Sequence, residues 1–120
     1  MPIIDLYEKR SNQSPIELNF LVSIVSSVLE IPQDLVWVFR HTFDEGNFKR
    51  VYWEGKDNAA PTLFMTCKSK YPKAKIKELL EEVKNEVSNH YQCNSDEVFM
   101  AVRRVESDEV LSPQIRSSRD

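Results

Sequence analysis

The sequence predicts an α+β fold built from two β-α-β units, with a four-stranded mixed sheet and two helices on one of its faces. Each half of the chain has the pattern strand, helix, strand. A spacing of 62 residues aligns the two helices, and the strands that follow them, without a gap, pairing Leu18 with Leu80 and Asp34 with Asp96. Because one spacing relates both a helix and the next strand, a duplicated unit is indicated.

The first unit is predicted to begin with a strand over residues 2–7. Ser14 and Pro15 have the residue types of a helix N-cap and of the first helical position. Apolar residues then recur at intervals of three and four, which puts them on one helix face: Leu18, Leu21, Val22, Val25, Val28 and Leu29. Pro32 ends this helix. Residues 35–39 are rich in β-branched and aromatic side chains and are predicted to form the second strand.

The second unit repeats this order. Residues 62–67 are predicted to form a strand, and Tyr71 and Pro72 open a helix whose apolar stripe is Ile76, Leu79, Leu80, Val83 and Val87. Asn94 ends this helix, and residues 98–105 form the last predicted strand.

The 120 residues are predicted to form one domain, because the chain is too short for two hydrophobic cores. Within it, residues 1–60 hold the first unit, residues 61–106 the second and residues 107–120 a tail. A further short strand is expected over residues 49–53, between the two units.

Composition excludes several classes of function. The net charge of −3 argues against nucleic acid or an anionic membrane as partner, and the chain lacks an apolar run long enough to cross a bilayer. Without a signal peptide, a cytoplasmic location is expected. Neither Cys67 nor Cys93 has metal-ligand spacing with His41 or His90, so no metal site is expected.

The predicted strands carry more aromatic surface than one layer of helices covers. The residues are Trp37, Phe39, Tyr52, Trp53, Phe64 and Phe99. Such a face favours packing against other copies of the chain, and a symmetric oligomer satisfies it.

Four segments resemble the tautomerase superfamily, and its 4-oxalocrotonate tautomerase family in particular. They are the amino-terminal Met1-Pro2-Ile3-Ile4, Lys9-Arg10-Ser11 before the first helix, Glu30-Ile31-Pro32 after it, and Gly46-Asn47-Phe48. The resemblance implies a homotrimer in which Pro2, exposed by removal of Met1, acts as the catalytic base. An α-amino group titrates at roughly 8, and burial or neighbouring cations lower its pKa toward neutrality.

The resemblance also implies the substrate-binding residues. Arg10 would bind a substrate carboxylate across a subunit boundary, and Phe48 would line the site. Lys68 and Lys70 stand where related enzymes have a pair of arginines, and as alternate residues at a strand end they are predicted to share one face. Trp37 replaces a second substrate-binding arginine, which favours a partly apolar substrate with a single carboxylate.

The implied activity is cofactor-independent keto-enol tautomerisation of a 2-oxo acid or an arylpyruvate. Relatives use the same proline for decarboxylation or dehalogenation, and the sequence does not choose between these reactions. A ferredoxin-like ligand-binding or structural module, with an inert Pro2 and with Trp37 and Phe48 in packing roles, is a second hypothesis.

Overall fold

A computed structural model describes residues 2–10, 14–49 and 60–111 of the chain. In chain order its elements are β1 (Ile3–Lys9), α1 (Leu18–Leu29), β2 (Trp37–Phe43), β3 (Thr62–Lys68), α2 (Lys73–Tyr91) and β4 (Phe99–Val105). Short 3-10 turns flank β2 and β4 on both sides. The predicted strand over residues 49–53 lies almost entirely outside the described residues. Within the described ranges, no helix combines the length and the apolar character that crossing a membrane requires.

The sheet has the strand order β2-β1-β3-β4. The outer strands β2 and β4 run parallel to their neighbours β1 and β3, whereas β1 and β3 pair antiparallel at the centre. Each parallel pair is joined through a helix, as a crossover connection requires. The predicted four-stranded mixed sheet is therefore confirmed.

Both helices cover the same face of the sheet. Along β1 and β3 alternate side chains are fully buried, among them Ile4 and Leu6 on β1 and Leu63 and Met65 on β3. They form one cluster with the apolar stripes of α1 and α2. The opposite face, called the open face below, carries Phe39 and Phe99, each about half exposed at 50%.

The duplication is closer than the sequence suggested. The spacing of 62 residues relates β2 to β4 residue for residue and also relates the four 3-10 turns in pairs. Both helices end at a residue in the left-handed region, Glu30 with φ 57° and Gln92 with φ 53°. The strands β1 and β3 are 59 residues apart, as Ile3 is from Thr62. The units therefore differ in the segment between first strand and helix.

The first helix begins later than predicted, at Leu18 rather than near Ser14. The Tyr91 hydroxyl accepts a hydrogen bond from the Ile16 backbone N–H at 3.0 Å, and the Arg40 guanidinium donates to the Ile16 carbonyl. Because both main-chain groups of Ile16 are satisfied by distant side chains, this segment stays extended. The strand predicted over residues 35–39 is also displaced: β2 begins at Trp37, since Leu35 is buried in a 3-10 turn.

Candidate active site

The predicted site residues lie at two opposite ends of the sheet. The Pro2 end consists of the first residues of β1 and β2 and the last residues of β3 and β4; the other is called the Arg10 end. Pro2 and Arg10 flank β1. At about 3.3 Å per residue, the eight residue steps between them span about 26 Å.

Pro2 is held at its end of the sheet by both neighbouring strands. Its carbonyl oxygen accepts the N–H of Trp37 at 3.0 Å. The pairing of Ile3 with Thr66 puts Pro2 opposite Cys67, one residue further along the antiparallel register. The pyrrolidine ring is fully buried, so the ring has a fixed place at the base of any site built there.

Basic residues gather around the Pro2 end. Lys68 is the last residue of β3, Lys70 lies in the connection to α2, and Lys73 and Lys75 are in the first turn of α2. Glu30 neutralises Lys75 in part, with 3.5 Å between its carboxylate oxygen and the ammonium nitrogen. The prediction that Lys68 and Lys70 share one strand face is wrong, because β3 ends at Lys68 and Lys70 is placed by the turn.

Cys67, which lies opposite Pro2 in the antiparallel register, is kept protonated by its surroundings. Burial raises the pKa of Cys67, and the positive charge of Arg104 offsets part of that rise. A raised pKa leaves little thiolate at neutral pH. Cys67 is therefore a poor nucleophile.

Trp37 completes the Pro2 end on the open face. It is the first residue of β2, stands next to Ile3 in the parallel register and is about one-third exposed. The structure therefore places Pro2, Trp37, Lys68 and Lys70, four residues of the predicted set, at the same end of the sheet.

Arg10 and Phe48 lie together at the far end. The Arg10 backbone N–H donates to the Phe43 carbonyl at 2.9 Å, and its Nε donates to Asp44 Oδ1, also at 2.9 Å. The Phe48 ring lies 5.0 Å from that of Phe43 and is well exposed. Neither residue contacts Pro2 within one chain, so a site containing all three requires a second copy.

A buried charged cluster at the Arg10 end was missed in the sequence. Glu8, only 2% exposed, accepts a hydrogen bond from the Tyr91 hydroxyl. Its Oε2 lies 2.7 Å from Arg40 Nε, in an ionic contact without hydrogen-bond geometry. The pKa of Tyr91 is raised, mainly because the hydroxyl is partly buried and, to a smaller extent, because it donates a hydrogen bond to Glu8. Strand alternation was the available signal, because Glu8 continues the inward positions of Ile4 and Leu6.

A second missed cluster lies at the centre of the open face. His41 Nε2 is 2.8 Å from Asp5 Oδ1, and the His41 ring stacks on Tyr7 with 4.5 Å between centroids. Edge contacts continue the band to Phe64, 6.0 Å from Tyr7, and then to Phe99 at 5.8 Å. An aromatic band thus crosses all four strands. In the described part of the chain, no three His, Cys, Asp or Glu side chains come close enough to hold a metal ion.

This architecture is the fold of the tautomerase superfamily, and it confirms the resemblance at the level of the fold. A fused 4-OT structure, a symmetric trimer, superposes with a TM-score of 0.79 at 11% identity, covering 93% of this chain and 92% of that one. A member of the cis-3-chloroacrylic acid dehalogenase family gives 0.72 at 13% identity, with 92% and 79% covered. Macrophage migration inhibitory factor from Trichinella spiralis gives 0.68 at 13%, with 92% and 95% covered. Neither a protein-family model nor a curated protein sequence matches the chain.

Proposed function

We propose that this protein is a cofactor-independent tautomerase that acts on a 2-oxo acid or an arylpyruvate through the amine of Pro2, after removal of Met1. The observation that supports the proposal is that Pro2, Trp37, Lys68 and Lys70 lie at the same end of the sheet. Burial of an amine and nearby cations both lower its pKa. An amine with a pKa near neutrality suits general base catalysis at physiological pH.

The reaction needs a proton carrier and a stabiliser of negative charge. The Pro2 nitrogen takes a proton from the substrate α to its carbonyl, and the electron pair left behind forms an enolate. Lys68 and Lys70 stabilise that charge while one of them also binds the carboxylate. The protonated proline then returns the proton to a different atom of the conjugated system, which completes the isomerisation without a cofactor.

The surface next to Pro2 favours an aryl substrate with a single carboxylate. Trp37 offers an exposed apolar ring where the resemblance puts a second arginine. A carboxylate buried without a partner costs several kcal/mol, on the order of 3–5. A dicarboxylate would therefore lack a cation for its second charge at Trp37, whereas an aromatic ring would pack on the indole.

We further propose a homotrimer in the cytoplasm. The fused 4-OT structure to which the chain is similar is a symmetric trimer, and the open aromatic face needs a cover. In a closed ring the Arg10 end of one copy is able to meet the Pro2 end of the next, which puts Arg10 and Phe48 beside the amine. A monomer mass in light scattering at micromolar concentration would contradict this assembly.

The first experiment tests the amine. Intact mass of untagged protein is expected to show loss of Met1, and Pro2→Ala is expected to lower ketonisation of phenylenolpyruvate strongly, with circular dichroism showing that the variant remains folded. Retained Met1 excludes the amine mechanism, and unchanged turnover in Pro2→Ala shows that the secondary amine of proline is not required. Dehalogenation of a chloroacrylate, or decarboxylation, by a protein that does not tautomerise would instead assign one of the alternative chemistries.

A second experiment tests the shared site. Arg10→Ala and Pro2→Ala chains are each expected to be weak alone, yet unfolding and refolding them together restores activity, because a mixed ring pairs an intact Pro2 with an intact Arg10 of its neighbour. Lys70→Ala is expected to raise KM at least as much as Arg10→Ala. If mixing restores nothing and the Lys70 variant behaves like wild type, a non-catalytic ligand-binding module becomes the better hypothesis.

A further inference from the structure

The connection between β3 and α2 is fastened from the neighbouring strand β4. The Ser69 backbone N–H donates to the Val105 carbonyl at 2.8 Å. Arg104, the residue before Val105, adds two further hydrogen bonds. Its Nη2 donates to the Ser69 carbonyl at 2.6 Å and also to the Tyr71 carbonyl. One guanidinium thus holds the carbonyl groups on both sides of Lys70.

The side chains of this connection add to that restraint. Tyr71 is buried, with only 6% of its surface exposed, and belongs to the core cluster. The Lys70 ammonium nitrogen lies 5.4 Å from the centroid of the Tyr71 ring, within the range of a cation–π contact. Lys70 therefore has a fixed backbone, and its ammonium group rests on a buried ring.

The first unit lacks this arrangement. Thr42 occupies the position that corresponds to Arg104, 62 residues earlier. The side chain of Arg10, which follows β1 as Ser69 follows β3, is held by an exposed contact with Asp44. Of the three cations proposed to bind the carboxylate, Arg10, Lys68 and Lys70, Lys70 is the one whose flanking carbonyl groups are both held by Arg104.

We propose that Arg104 is a positioning residue that holds Lys70 in the orientation that binds the substrate carboxylate; this rests on the proposed function. Arginine suits the role because a planar guanidinium keeps its donors in a fixed geometry, whereas a lysine ammonium is a compact charge on a flexible stem. In this role Arg104 acts on the reaction through the turn and Lys70 rather than by contact with the substrate.

The test compares Arg104→Gln, Arg104→Lys, Lys70→Ala and the double variant Arg104→Gln/Lys70→Ala in the full chain. Losing the orientation of one charged hydrogen bond raises KM for an arylpyruvate about tenfold in Arg104→Gln, with kcat within about twofold. Arg104→Lys keeps the charge and is expected to lie between wild type and Arg104→Gln. The double variant is expected to match Lys70→Ala alone, because a residue that acts through another shows no separate effect.

Lys77→Gln is the matched control. It removes one positive charge from an exposed position on α2. The KM is expected to stay unchanged in this variant if KM depends on the orientation of Lys70 rather than on the net charge of the protein. An effect of Arg104→Gln that adds fully to that of Lys70→Ala, or a KM in Arg104→Lys equal to wild type, overturns the proposal.

Two readouts are independent of turnover. Hydrogen exchange of the backbone amides of residues 69–71 is expected to be faster in both Arg104 variants, and an NMR titration with phenylpyruvate is expected to show weaker binding in them and in Lys70→Ala. Faster exchange with unchanged phenylpyruvate binding assigns Arg104 a purely structural role and overturns the proposal. A wild-type protein that binds phenylpyruvate through Lys70 but turns nothing over refutes the proposed activity and leaves the positioning role supported.

Discussion

The two β-α-β units share strands, turns and helix ends, yet they bury different chemistry beneath those strands. The third inward position of β1 is Glu8, whereas the matching position of β3, 59 residues later, is Cys67. Glu8 is surrounded by Arg40 and Tyr91, and Cys67 is a protonated thiol in an apolar setting. The comparison shows that a repeated backbone accommodates either a charged cluster or a plain core.

The cause lies in the segment that follows each first strand. In the first unit residues 14–17 are not helical, and Tyr91 and Arg40 satisfy the main chain of Ile16. In the second unit the helix starts at Lys73, and Arg104 from β4 holds the short turn before it. In each unit, an arginine of the second strand (Arg40 or Arg104) therefore holds the chain segment that follows the first strand. The first strands β1 and β3 end at opposite ends of the sheet.

The largest expected effect comes from removing the charged cluster. Glu8→Ala leaves Arg40 without its counter-ion, and breaking a buried ion pair costs about 3 kcal/mol of unfolding free energy. The double variant Glu8→Leu/Arg40→Met replaces the pair by apolar groups and is expected to recover most of that loss. Urea denaturation measures both, with the exposed Glu82→Ala as control. A loss no larger than that of the control would mean that the cluster adds no stability to the first unit.

The hydroxyl of Tyr91 should have the next largest effect. Tyr91→Phe leaves the Ile16 N–H without its acceptor and removes one donor to Glu8, which costs about 1–3 kcal/mol. Tyr7→Phe, on the open face, is the matched control and should change the unfolding free energy little. Equal stability of the two variants would show that the extended segment does not depend on Tyr91.

The raised pKa of Tyr91 predicts that the stabilities of wild type and Tyr91→Phe respond differently to alkaline pH. Because burial and Glu8 raise the pKa of Tyr91 above its ordinary value near 10, the folded chain holds the phenol proton more tightly than the unfolded chain does. Its contribution to stability is complete below pH 10 and is lost as pH rises above it. The unfolding free energy of wild type should therefore fall more steeply than that of Tyr91→Phe. Because Tyr91 accounts for at most one proton of difference between the folded and unfolded chains, the extra slope stays below about 1.4 kcal/mol per pH unit.

Denaturation of wild type, Tyr91→Phe and Tyr7→Phe between pH 9 and pH 11 measures this slope. Parallel curves for wild type and Tyr91→Phe would contradict the assigned environment of the hydroxyl. Tyr7→Phe is the control for the loss of a tyrosine hydroxyl elsewhere in the chain.

The smallest effect tests the equivalence of the helix ends. Gln92→Gly and Glu30→Gly each relieve a left-handed residue and should raise the unfolding free energy by about 0.5–1 kcal/mol. Glu30→Gly should gain less, because it also removes the exposed contact with Lys75, worth at most about 0.5 kcal/mol. Thermal unfolding of both variants provides the measurement. A loss of stability in either would show that the two helix ends are not equivalent.

Much of the fold follows from the sequence alone. The spacing that pairs Leu18 with Leu80, the apolar stripes of both helices and the alternation along the strands were sufficient for a duplicated β-α-β fold with one covered face. These signals are local, because burying one face of a strand or a helix imposes a period of two or 3.6 residues wherever the element occurs. The position of Pro2 at the start of a strand follows in the same way.

Only the tertiary structure decided where the site residues meet. The start of α1 depends on contacts of Ile16 with Arg40 and Tyr91, which are far away in the chain, and these contacts override the local N-cap signal of Ser14. The strand order places the end of β3, and with it Lys68, at the same end of the sheet as Pro2. Lys70 lies at this end in a turn that Arg104 and Tyr71 hold and that no periodic pattern describes. Satisfying main-chain groups at the ends of elements depends on partners that only packing supplies, so the sequence determined the elements and the packing determined the site.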